Sequence, residues 1–153
     1  MTLVLPFRLK VPGKDEFEGL GNAVSTTYRL HGYLRFDGYM LSIEWGGEVA
    51  IQEVGISKIS DETEPLQDER IDLPITDIHR ASLTGGWFRP RLELQARRLG
   101  ALSCIPSESL GVVKFWYDRA ERFAAIAMAN ALEAAIASGG TRPLIDESAI
   151  TPT

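Results

Sequence analysis

The sequence predicts a mainly β fold, a small antiparallel barrel of about seven strands closed by a single C-terminal helix. Three observations carry that prediction: runs in which apolar and polar residues alternate with a period of two, glycine-containing turns between them, and an alanine-rich final stretch of helical character. The 153 residues, 44% hydrophobic and 24% charged, suffice for one ordinary core and fall short of two comfortable domains.

The expected organisation is an N-terminal segment over residues 1–25 that adds a strand or an arm, a barrel with its helix over residues 26–138, and a flexible tail over residues 139–153. The first eleven residues alternate apolar side chains with Arg8 and Lys10 and lack the basic head and long apolar run of a signal peptide. In residues 26–36, Tyr28, Leu30, Leu34 and Phe36 fall on one side and Arg29, His31 and Arg35 on the other, as in a half-buried strand. Asp37-Gly38 follows, the pair that supplies the positive backbone angles of a two-residue hairpin turn, and Tyr39, Leu41, Ile43 and Trp45 alternate on the return. Gly46-Gly47 predicts a second turn, leading into a strand over residues 48–57 whose apolar parity changes midway, as a bulge would make it.

Residues 61–69 hold five acids, no base and Pro65, a composition that predicts a solvated loop outside the sheet. Beyond it, residues 70–74 and 75–84 read as a strand and a bent strand, and Gly85-Gly86 turns the chain into residues 87–97. There Phe88, Leu92, Leu94 and Ala96 share one parity and Arg89, Arg91, Glu93, Gln95 and Arg97 the other, so one face is wet. Residues 99–110 form a connector containing Pro106, and residues 112–117 a short strand rich in aromatic and β-branched side chains. Asp118 with Glu121 three residues on resembles a capping box, and nine alanines lie between Ala120 and Ala137, which predicts a helix stopped by Gly139-Gly140. Phe123, Ile126, Ala127 and Ala134 are expected to pack on the barrel. Met128, Leu132, Ala125 and Ile136 form a second apolar face roughly opposite.

Several function classes lack their physical parts. A net charge of −5 gives no general pull toward nucleic acid or anionic lipid. The single cysteine, Cys104, excludes an internal disulfide and suits a reducing compartment, so a cytoplasmic location is expected. His31 and His79 stand in no metal-ligand spacing, the nucleophile-elbow, P-loop and dinucleotide motifs are absent, and the paired acids lie where nothing would desolvate them. The expectation is a non-enzyme with no cofactor and no metal.

The order of about seven antiparallel strands and one terminal amphipathic helix, with Ile71-Asp72-Leu73-Pro74-Ile75-Thr76-Asp77-Ile78 and Gly85-Gly86-Trp87-Phe88-Arg89-Pro90-Arg91-Leu92 in its later part, resembles the pleckstrin-homology (PH) superfold, in particular the PH-like domains of bacteria. The likeness runs from about residue 26 to residue 137. It implies a strongly bent barrel capped by the helix and a role in recognition. Two departures stand out. Phosphoinositide-binding members hold their ligand with bases around the loop between the first two strands, which here is the tight Asp37-Gly38 turn with Arg35 the one nearby base; and the terminal helix lacks the tryptophan typical of eukaryotic members, Trp116 preceding it. Phosphoinositide is therefore not expected as a ligand, and membrane lipid is disfavoured.

Three surfaces are candidates for a partner. Arg80, Arg89, Arg91 and Arg97, with Arg98, face only Glu93 in opposition and suit an anionic partner, although a solvated β-face carries arginine for solubility as well. Trp87, after two glycines and beside Arg89, is expected to point outward while Phe88 points in. The helix face of Met128, Leu132 and Ile136 is the candidate oligomer interface. The expected function is a PH-like module for protein or peptide recognition and self-association. The alternatives are a barrel holding a small apolar or anionic ligand and peripheral membrane attachment through Trp87 and the arginines.

Overall fold

The alternation at the N-terminus builds the middle of the sheet. Leu5, Phe7, Leu9 and Val11 are buried while Arg8 and Lys10 stay in solvent, which is strand β1, Leu3–Pro12. It pairs along its whole length with β3, Asn22–Phe36, and at Arg8 with Trp116 of β8, Val112–Trp116. The chain is a computed structural model that describes residues 2–13, 16–18, 22–55, 59–107 and 110–139. Its remaining strands are β2 (Glu16–Glu18), β4 (Met40–Val54), β5 (Ile59–Pro74), β6 (Ile78–Thr84) and β7 (Arg91–Ala96), followed by helix α1 (Arg122–Ala137).

All pairings are antiparallel, and the strands lie in the order β5-β4-β3-β1-β8-β7-β6, with β2 attached to β3. Among the described residues no ladder joins β5 to β6, so hydrogen bonding does not close the barrel. Leu73 of β5 and Ile78 and Ala81 of β6 nevertheless belong to one buried cluster, so the open sheet wraps a single core. That core is filled by Leu5, Leu34, Phe36, Leu41, Ile43, Leu92, Leu94 and Phe115, each fully buried and each stabilising by about 1.5–3 kcal/mol. Phe7 meets Phe115 edge to face at 4.7 Å.

The β3–β4 hairpin is where the sequence places it, shifted by one residue. Asp37 is not part of the tight pair; its carboxylate accepts from the amides of Tyr39 and Met40, and Gly38 alone takes a positive φ. Gly46-Gly47, by contrast, is no turn. Chain direction is unchanged through both, and β4 pairs with β3 without interruption from Leu41 to Val54. A Cβ on Gly47 would sit 2.1 Å from the Arg29 carbonyl oxygen, and one on Gly46 would meet the Asp68 carboxylate, so these glycines permit close approach rather than reversal. The bulge does exist, but on β5, where three steps from Glu69 to Leu66 span the two from Trp45 to Gly47. Ile56 and Ser57, the end of the strand expected here, lie outside the described residues.

Residues 61–69, predicted as a loop, are the outer half of β5, an edge strand. Their charges fit an edge that must not pair with another sheet, and the same composition that resembles a loop serves that purpose. Asp72, farther along this strand, is held ionised below the ordinary carboxylate range, first by a hydrogen bond from the Ser42 hydroxyl and then by one from Arg70. The first strand is β1, so the turn at Asp37-Gly38 joins β3 to β4 and is not the connection between the first two strands.

The helix turns its other face to the core. Met128 and Leu132 are 0% exposed and Ala125 and Ala129 are buried with them, Ile136 is half-buried, and Phe123, assigned to the core side, is 85% exposed together with Ala127 and Ala134. The expected oligomer face is thus the protein's own core. Alanine on both sides makes the two stripes nearly equal in hydropathy, and the face with the larger Met128 and Leu132 is the one buried. The helix start follows a single 3-10 turn, Arg119–Glu121, and the Asp118 side chain does not cap it but binds Arg8 at 2.6 Å. Farther along, the Glu133 carboxylate accepts from the Ala81 amide at 2.8 Å, which covers part of the β6 edge. No described helix is long and apolar enough to cross a membrane. Residues 140–153, most of the expected tail, lie outside the described residues.

Candidate functional site

The turn between β6 and β7, residues 85–90, carries the most exposed aromatic pair of the molecule's described surface. Gly85 and Gly86 both take positive φ, and the Arg89 amide donates back to the Gly85 carbonyl at 3.3 Å, folding the loop tightly. Trp87 is 55% and Phe88 83% exposed. The inward orientation expected for Phe88 does not hold, because strand parity begins only at Arg91 and Phe88 belongs to the turn.

This turn lies over the beginning of α1. The Arg119 guanidinium carbon stands 5.2 Å from the Trp87 ring centre and 5.7 Å from that of Phe88, and the Arg122 carbon stands 5.3 Å from Trp87. Neither arginine has a carboxylate partner among the described residues, whereas Arg8, Arg29, Arg35, Arg70 and Arg98 each do. Between turn and helix lies a hollow of about 230 Å³, walled by Thr84, Trp87, Tyr117, Arg119, Arg122 and Ile126 among others. The Thr84 hydroxyl oxygen is buried and has no hydrogen-bond partner among the described residues. Burial pushes the Tyr117 phenol up, with the Arg122 charge pulling partly the other way, so it stays neutral at physiological pH.

The arginines singled out in the sequence do not converge on this place. Arg89 shares the turn with Trp87. Arg80 lies across from Gln95, and Arg97 donates from Nε to the Ile78 carbonyl at 3.3 Å. Arg91 belongs to the outer face of the sheet, its guanidinium 5.2 Å from the Trp116 ring. There the cross-strand register runs Arg91, Trp116, Arg8, His31, Gly46. A second hollow of about 760 Å³ opens on that face between Arg8, Lys10, Arg29, His31, Glu48 and Asp68. Its charges are mixed and partly paired, Arg8 to Asp118 and Arg29 to Glu48 at 3.6 Å.

Arg119, Arg122 and the exposed Phe123 are absent from the sequence-based candidates. The capping-box pattern places both arginines at the start of a helix, but only the tertiary fold brings that start beneath a turn some thirty residues earlier. Met128, Leu132 and Ile136 leave the list, being turned inward. His31 and His79 are exposed, Cys104 is exposed, and among the described residues no three of His, Cys, Asp and Glu converge as metal ligands. Comparisons of the chain with protein-family models, with curated proteins and with solved structures each find no match.

Proposed function

We propose that this chain is a PH-like recognition module that holds a partner polypeptide at the Trp87–Phe88 turn, with Arg119 and Arg122 as the flanking contacts. The observation that carries the reading is the exposure of two adjacent aromatic rings on a tight loop, each stacked by a guanidinium that has no acidic partner in the described chain. Large aromatic side chains in water are costly for the free protein, and Trp beside Arg is the composition of binding hot spots. A single wrapped antiparallel sheet with a C-terminal helix against it is the arrangement that the PH resemblance implies. The filled interior, in which Ser42 is the one buried polar residue of the described core, speaks against a ligand carried inside the barrel. Self-association through Met128 and Leu132 has lost its surface and is not part of the proposal.

Selection of a random displayed-peptide library on the wild-type chain tests the reading. The selected peptides are expected to bind Trp87→Ala and Phe88→Ala at least about tenfold more weakly. Both variants should keep wild-type stability to within about 0.5 kcal/mol, since neither ring is in the core. Peptides that bind the variants and the wild type alike would refute the assignment. An absence of peptides together with Trp87-dependent sedimentation on acidic vesicles would turn the surface into a membrane contact instead.

A further inference from the structure

We propose that the hollow between the β6–β7 turn and the start of α1 is a subsite for one acidic side chain, an Asp or Glu of the partner polypeptide. This deepens the reading of the Trp87–Phe88 surface and rests on it.

The case begins with how the two arginines are held. Three residues apart, Arg119 and Arg122 project from neighbouring positions at the helix start, and both stack on Trp87. A guanidinium kept in place by a ring face has its N–H edge open, whereas one kept by a carboxylate has spent that edge. Of the acids adjacent in sequence, Asp118 is taken by Arg8, and Glu121 forms no ion pair with either arginine among the described residues. Two positive charges therefore border the hollow without compensation from the described chain.

The wall supplies the remaining parts. Trp87 forms one side of the hollow, and the two guanidiniums that stack on it line the same hollow. Leu83, Pro90 and Ile126 offer an apolar lining to the methylene stem of an acidic side chain. A carboxylate has two oxygens, which the N–H edges of Arg119 and Arg122 can saturate. No lysine or third arginine lines the hollow. Tyr117, in the same wall, is neutral and adds no repulsion.

The test uses the full chain and three probes of one shape class: 3-phenylpropanoate, its uncharged isostere 3-phenylpropanamide, and phenyl phosphate. Binding is followed by NMR at the Trp87 indole N–H and the Arg119 and Arg122 Nε–H resonances. The acid is expected to saturate these signals at least about tenfold more tightly than the amide, and to weaken with added salt. Arg119→Gln and Arg122→Gln should each remove most of that difference, and Arg122→Lys should restore part of it relative to Arg122→Gln. The acid and amide are compared on the wild-type chain, so the result does not depend on how the variants fold. Equal binding of acid and amide at Trp87 would overturn the subsite while leaving the aromatic surface standing. Response to phenyl phosphate alone would make it a phosphate site and overturn the proposal too. Silence at Trp87 with all three would overturn the subsite, with the peptide selection deciding the wider surface separately.

Discussion

Leu132→Glu should unfold the protein rather than split an oligomer. Leu132 is fully buried on the core face of α1 together with Met128 and Ala125, so a carboxylate there would be desolvated with no partner in reach. Truncation to alanine at such a site costs about 2–5 kcal/mol, and adding an unpaired charge raises the loss beyond about 4–5 kcal/mol, a large share of what a single domain has. Urea unfolding followed by circular dichroism is the measurement, with loss of the cooperative transition as the expected result. Phe123→Glu is the matched control on the same helix. At 85% exposure it should stay within about 0.5 kcal/mol of wild type. A folded Leu132→Glu chain of normal stability would mean that the helix docks by its other face.

Gly32→Ala should cost about 3 kcal/mol or more, although it adds a single methyl group. A Cβ at Gly32 would fall 1.8 Å from the Glu44 carbonyl oxygen and 2.8 Å from the Trp45 Cα, both backbone atoms of β4. A side chain can rotate away from such a contact, but two strands joined by a continuous ladder cannot separate locally without breaking it. Gly100→Ala, where a Cβ would meet nothing within 4 Å, should be nearly neutral by the same denaturation measurement. Similar losses at the two positions would show that the close approach of β3 and β4 is not what requires glycine at residue 32.

These two residues also mark where sequence reasoning succeeds and where it stops. The β3–β4 hairpin is legible because alternation and an Asp-Gly pair are local signals that agree. Gly46-Gly47 misleads because glycine has two uses, reversal and close contact, and only the neighbouring strand distinguishes them. Acidic residues 61–69 look like a loop since an edge strand is solvated on one side in the same way. For α1 the element is legible but its orientation is not. Two apolar stripes of similar strength leave the choice to packing against β6 and β1, which involves residues far away in sequence. The candidate site follows the same division. Trp87 is visible as an aromatic beside a glycine pair, while its partners Arg119 and Arg122 become visible only once the helix start lies beneath the turn.

The most direct test of the central claim is site-specific photo-crosslinking in the cells that make the protein. A photoreactive phenylalanine analogue at position 88 of the full chain should trap a polypeptide, and Arg122→Glu in the same chain should sharply reduce the yield. The analogue at Ile59, also largely open to solvent but on β5, should trap none of it. An adduct of the same mass and yield from both positions, or one indifferent to Arg122→Glu, would contradict a recognition surface at the Trp87–Phe88 turn.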